Sequence, residues 1–258
     1  MDTLILKPQQ SLITQSRDAN LAVSAVNADG FGVGWYGEKP EPGVYTDILP
    51  AWNDANLRSL AENVRSGLFF GHVRASTGTS VARVNCHPFT HRRWLFMHNG
   101  SIGGFERIRR ALMMAIDPAL FSCLHGTTDS EVLFYLMLTF GLDDDPQAAF
   151  ASTVGLVLNE LAAVGIEDHI AVTVAVTDGA SIHALRFAND DRPATLYYAL
   201  GARPLTAAGV PAVEAADGCL IVSEPLDDVH SAWHEVPPSH MLVATDGDIG
   251  KVPFEPAR

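Results

Sequence analysis

No apolar run in the chain is long enough to cross a bilayer. The longest, Val132 to Leu142, has the length of a buried helix. The first residues lack a positively charged stretch followed by an apolar one, so no secretory signal is expected. Cysteine is scarce: Cys86, Cys123 and Cys219 are an odd number at irregular spacing. They form no disulfide framework, suit a reducing cytoplasm, and read as small buried apolar residues. Positive charge is scarce too, with seventeen Lys+Arg against thirty Asp+Glu and a net charge of −13. Such a surface repels phosphate backbones and anionic lipid, which argues against nucleic acid and membranes as partners. The close set Arg107, Arg109 and Arg110 reads as the solvated face of a helix. Internal repeats and low-complexity tracts are absent.

What is present is core. With 258 residues, 47% hydrophobic and 18% charged, the chain can bury a sizeable interior. No linker divides it, and residues 1–258 read as one domain. The first twenty-five residues give little periodic signal. Gly30 to Gly37 alternates glycine with bulky apolar residues, which predicts a strand whose backbone is closely approached on one face. A dinucleotide-binding loop would need a helix next, and Lys39-Pro40-Glu41-Pro42-Gly43 is a turn. Leu57, Leu60, Ala61 and Val64 mark a helix capped at Asn53-Asp54. Leu68 to Val73 and Trp94 to His98 read as buried strands. Phe105, Ile108, Leu112 and Ile116 give an amphipathic helix. Thr128 and Glu131 have the spacing of a capping box before an apolar helix reaching Phe140. Asp145-Pro146 opens another helix.

After Gly165 the pattern changes to short strand-like runs at Ile170–Val176, Ile182–Phe187, Thr195–Leu200, Cys219–Val222 and Met241–Ala244, most of them separated by turn residues. Strands, helices and strands again, without β-α-β alternation, predict an α+β fold with antiparallel sheets.

Generic motifs yield little. His234-Glu235 and His240 have the wrong spacing for a zinc protease, and Pro237-Pro238 would break the helix. Asp246-Gly247-Asp248 lacks the other ligands of a calcium loop and reads as a hairpin turn. No metal or cofactor is expected.

The stronger signal is a set of segments in order: Asn27 to Trp35, Gly71 to Thr77, Asn85 to Phe89, Phe96 to Gly100, and Thr128 to Glu131, with Ser223 to Asp227 late in the chain. Together they resemble the class II glutamine amidotransferases of the N-terminal-nucleophile hydrolases. They are most similar to stand-alone bacterial members akin to the γ-glutamyl hydrolase of ergothioneine synthesis. The resemblance implies a four-layer α-β-β-α sandwich of two antiparallel sheets. It implies an N-terminal cysteine that attacks the amide of glutamine or a related γ-glutamyl amide, its own α-amine serving as base. The Asn99 side chain and the Gly100 N–H would then be the oxyanion donors. Arg74 would hold the substrate carboxylate with its two-pronged guanidinium, and Asp129 the α-ammonium group. Thr77 and His87 would line the same pocket.

Each assignment has a plainer counterpart. Asn99-Gly100 is also the commonest hairpin signal. Arg74 could sit in a structural ion pair. Asp129 is favoured by the helix dipole in any case. Thr77 and His87 could be satisfied structural polar residues. Asn27 and Asp29 are expected to brace the turn into the glycine-rich strand.

One feature departs from the pattern. The family begins Met-Cys-Arg followed by a strand, whereas this sequence begins Met1-Asp2-Thr3. The expectation is therefore a fold lacking its first strand, and a chain inactive without the cysteine-bearing segment. Two functions remain in play: a glutamine amidotransferase or γ-glutamyl amidohydrolase once that segment is supplied, or a non-catalytic protein binding a glutamine-like ligand or docking a partner. Acceptor chemistry, if any, would lie on a separate synthase subunit, and self-association is the other partner expectation.

Overall fold

The computed structural model of the chain describes residues 1–21, 24–76, 78–201, 218–228 and 230–257. In chain order the elements are α1 (Asp2–Ile5), α2 (Leu12–Arg17), β1 (Phe31–Trp35), β2 (Gly43–Asp47), α3 (Ala55–Asn63), β3 (Phe69–Val73), β4 (Phe89–His91) and β5 (Trp94–Ile102). Four helices follow: α4 (Phe105–Met114), α5 (Pro118–Phe121), α6 (Asp129–Thr139) and α7 (Pro146–Ala163). The rest is strands: β6 (Ile170–Thr177), β7 (Ser181–Ala188), β8 (Tyr197–Leu200), β9 (Cys219–Val222), β10 (His234–Glu235), β11 (His240–Thr245) and β12 (Asp248–Pro253). Every strand pairing is antiparallel, so the α+β expectation holds.

A six-stranded sheet in the order β12-β11-β7-β6-β5-β4 is the backbone of the fold. Its outer face meets α4, α6 and α7 in the largest core cluster, which includes Phe96, Val172, Val174, Leu185, Phe134, Phe150 and Leu112. Helix α6 is apolar on nearly every side because it is covered on nearly every side; Leu133, Phe134, Leu136 and Met137 are fully buried. The inner face packs Leu95, Ala175, Ala184 and Leu242 against Phe70 of β3 and against Leu196 and Val236. Two three-stranded sheets, β2-β1-β3 and β10-β8-β9, thus share the second layer. Helices α1 to α3 close the outside, with Met1, Ile5, Ile13, Leu57 and Ala61 against Phe31 and Val33. The result is the α-β-β-α sandwich, its second β layer built in two pieces.

Those two pieces each end in an unpaired strand. Among the described residues β3 pairs only with β1, and β9 only with β8. Open edges of this kind are covered or filled in stable proteins. Helix α1 lies against both pieces: Met1 and Ile5 join the cluster over β1 and β3, while Leu4 joins Tyr197, Leu220 and Val222. Deeper in, buried Arg186 of β7 donates to Ala194 O (2.9 Å), to Glu235 Oε1 (2.8 Å) and to Val236 O, tying the large sheet to β10.

Local rules explain most boundaries. Asp54 caps α3 by accepting from Leu57 N (2.6 Å), and Asp145 caps α7 ahead of Pro146. The glycine face of β1 is needed because a Cβ at Gly32 would strike the His87 carbonyl. Asp246-Gly247 forms the left-handed hairpin turn between β11 and β12. Thr128 does cap α6, accepting from Glu131 N (3.1 Å), but the capping box is not closed. Glu131 reaches past Thr128 to accept from His125 N (2.9 Å) and Gly126 N (2.7 Å), because the preceding loop turns back over the helix end. No helix among the described residues is long and apolar enough to cross a membrane.

Candidate active site

The His-Asn-Gly segment is not a hairpin turn. Strand β5 runs straight through it, with Asn99 opposite Thr173 and Gly100 opposite Val172 of β6. Alternation along β5 sends His98 toward the helical layer and leaves Asn99 on the inner side, where it is exposed. Gly100 is held by close approach. A Cβ there would overlap the Ala171 carbonyl oxygen and lie 2.6 Å from His98 Nε2.

Asp129 starts α6 and turns back onto β5. Its Oδ2 accepts from Ile102 N (2.9 Å), and its Oδ1 accepts from Ser130 N (2.8 Å). A carboxylate here is stabilised by the N-terminal end of the helix dipole, and the Ile102 N–H it holds lies two residues beyond Gly100 on β5.

Arg74 follows the last residue of β3 and is buried at 5% exposure. Among the described residues no carboxylate pairs with it. Its guanidinium donates to Asp29 O (3.2 Å), Ser76 Oγ (3.3 Å) and Thr79 Oγ1 (2.5 Å). Asp29 spends its own carboxylate on Ser76 N (2.8 Å), so it braces the loop after β3 as well as the entry to β1. The guanidinium is therefore surrounded by neutral oxygens, the state of a group that can still take an anion. Thr77 lies outside the described residues.

His87 is 4% exposed, and neither ring nitrogen has a hydrogen-bond partner. Its ring centroid is 4.4 Å from that of His72 and 4.7 Å from that of Phe89. Burial holds its pKa well below the ordinary imidazole value, and the neighbouring His72, His98 and Arg74 push the same way. His72 is lowered to about 4, chiefly by burial. His87 is thus a neutral ring packed between His72 and Phe89, with Arg74 close by. His72 and His98 are polar members of this cluster that the sequence motifs did not single out. Their only advance signal was histidine at alternate, otherwise apolar strand positions.

Of the free thiols, Cys86 lies beside this end, next to His87 in sequence and within reach of the Arg74 charge. Cys86 is buried with its pKa raised by desolvation, and Cys219, half-buried on β9, is raised for the same reason. Cys123 is half-buried. The reading of all three as fully buried holds only for Cys86.

Residues 11–257 match the family described as glutamine amidotransferases, class II. The chain is 34% identical over 272 residues to DUG3, a probable glutamine amidotransferase of Saccharomyces cerevisiae, covering 93% of this chain and 76% of that protein. It is 29% identical over 250 residues to the gamma-glutamyl-hercynylcysteine sulfoxide hydrolase of Mycobacterium tuberculosis, covering 95% and 88% of the two chains. Among solved structures, a glutamine aminotransferase class-II domain protein from Silicibacter pomeroyi superposes with a TM-score of 0.76 at 39% identity, over 88% of this chain and 92% of that one. The glutamine PRPP amidotransferase of B. subtilis, at 15% identity and a TM-score of 0.58, shares the fold over 95% of this chain and 45% of its own length.

Proposed function

Because the chain belongs to the class II glutamine amidotransferases, we propose that it holds the γ-glutamyl group of glutamine or a related γ-glutamyl amide for cleavage by an N-terminal cysteine. The observation that carries the reading is the buried Arg74 guanidinium, which has no carboxylate partner among the described residues and acts on the neighbouring His72 and His87. In this reading Arg74 takes the substrate α-carboxylate and Asp129 its α-ammonium group. His87 lines the same pocket.

The nucleophile is assigned to a cysteine on a strand that precedes Met1 and seats between the open edges of β3 and β9. None of Cys86, Cys123 and Cys219 carries a free α-amine, and for Cys86 and Cys219 burial disfavours the thiolate. The cysteine thiol gives its proton to its own α-amine as sulfur attacks the amide carbon. Negative charge moves to the former carbonyl oxygen, where the Asn99 side-chain amide and the Gly100 N–H donate to it. Collapse of the intermediate expels ammonia or an amine, which takes the proton from the α-ammonium. Water then hydrolyses the thioester to glutamate and regenerates the thiol.

The test compares the chain as written with the chain preceded by its upstream coding sequence. The first should release no ammonia from glutamine above background; the second should turn over. A glutamine-like diazoketone should block turnover and label the added cysteine alone, as read by mass spectrometry. A label on Cys86, Cys123 or Cys219, or turnover by the chain as written, overturns the mechanism. An upstream frame without cysteine, with glutamine still bound, would make the protein a non-catalytic binder.

A further inference from the structure

His98 occupies a place in this site that neither substrate anchoring nor oxyanion donation explains. Its ring is buried, with Nδ1 2.9 Å from Ser130 Oγ and Nε2 3.1 Å from Ala171 O. A carbonyl oxygen can only accept, so Nε2 bears the proton and Nδ1 accepts from the Ser130 hydroxyl, whose oxygen also lies 3.2 Å from Asp129 Oδ1. Ser130 is the second residue of α6, and its N–H is held by Asp129 Oδ1 at 2.8 Å. Asp129 Oδ2 in turn holds Ile102 N, four residues along β5 from His98. The bonds close a loop: His98, Ser130, Asp129, Ile102, and back along β5 through Asn99 and Gly100. The ring also sits under Gly100, where an added Cβ would come within 2.6 Å of Nε2.

We propose that His98 is a positioning residue, fixing the distance between the oxyanion pair Asn99-Gly100 and the Asp129 anchor by bridging β6 and α6. This rests on the glutamine-site reading above. Both ring nitrogens are satisfied by protein groups, so the imidazole passes no proton to the substrate. Burial lowers its pKa, against the opposing charge of Asp129, and keeps the ring neutral. What it supplies is separation. The γ-glutamyl group is gripped at one end and polarised at the other, and a misplacement of about 1 Å between such groups costs on the order of 10²-fold in rate.

The experiment uses the turnover-competent protein carrying its upstream cysteine segment. His98→Ala should lower kcat for glutamine by on the order of 10–100-fold with KM nearly unchanged. Ser130→Ala, which removes the hydroxyl held against His98 Nδ1, should lower kcat in the same way with KM nearly unchanged. The double variant should be little worse than the poorer single one, because both cut the same loop. His98→Gln, whose side-chain N–H can reach Ala171 O, should recover part of kcat, and the acid limb of the kcat/KM profile should be the same in every variant. Additive losses, kcat within about twofold of wild type in His98→Ala, or an acid limb that vanishes with His98 overturns the proposal. Absence of turnover in the wild type would sink the functional reading instead. The bridge is then decided on the chain itself by ¹⁵N shifts: a His98 proton on Nδ1, or titration at the ordinary value of about 6.5, overturns it.

Discussion

Replacing Gly100 with alanine should destabilise the protein by about 1.5–4.5 kcal/mol, summing the two terms that follow. The added methyl would fall on the Ala171 carbonyl oxygen and against His98 Nε2. Neither neighbour yields alone. Ala171 belongs to β6, which is hydrogen-bonded to β5 on one side and β7 on the other, and the His98 ring is enclosed. Forcing a methyl into such a space costs about 1–3 kcal/mol. Losing the His98–Ala171 hydrogen bond as the strands part adds about 0.5–1.5 kcal/mol. For a chain of this size, at about 2 °C per kcal/mol, the sum corresponds to a fall in Tm of about 3–9 °C. Thermal and urea unfolding would measure it, with Gly67→Ala as the control, since a Cβ at Gly67 meets nothing within 4 Å. The control should stay within about 0.5 kcal/mol of the parent. Gly100→Ala as stable as the parent would refute the close-approach reasoning, and with it the claim that this position is glycine for steric reasons.

Arg74→Ala should weaken binding of glutamine, measured by calorimetry, by roughly 10-fold or more, since a charged hydrogen bond contributes about 1.5–3 kcal/mol; Arg74→Lys should not restore it, because an ammonium cannot offer the two-pronged contact, and unchanged affinity would remove Arg74 from the site. Acid should destabilise the fold through the buried histidines: His72 falls from 6.5 to about 4 on folding, so between those values the unfolded chain binds the proton that the folded chain refuses. Its contribution is complete above pH 6.5 and falls by about 1.4 kcal/mol per pH unit toward pH 4, which urea unfolding at pH 7.5, 6 and 5 would read; stability that stays flat or rises on acidification contradicts the burial of this cluster.

The sequence was most informative where periodicity and family motif coincided. Strands β3 and β5 to β7 and helices α4, α6 and α7 fall where apolar spacing puts them, because each buries one long face or is buried whole. The short edge strands β2, β4, β10 and β12 were not foreseen. They are half-covered or exposed, and their membership is decided by a partner strand rather than by their own pattern. Helices α1 and α2 were missed for a related reason. Six residues or fewer leave no room for a repeat, and their stability comes from Ile5 and Ile13 docking on β1 and β3.

The site divides along the same line. Asn99-Gly100 could be read as a hairpin turn or as oxyanion donors, and local sequence alone favoured the turn, whereas both residues lie within strand β5. The strand wins because β6 supplies eight paired residues along β5, and no four-residue window contains that partner. Gly100 therefore serves a different purpose from the one its Asn-Gly context suggests: it allows close packing against β6 in place of a left-handed bend. His98 was invisible for the complementary reason. As a sequence element it is one histidine in an apolar strand. Its meaning arises only when Ser130, thirty-two positions away, and Ala171, seventy-three away, meet its two nitrogens. Motif residues that touch a ligand keep their chemistry in any context, so they can be read locally. Residues that set distances between other groups depend on tertiary contacts, and the fold is needed to see them.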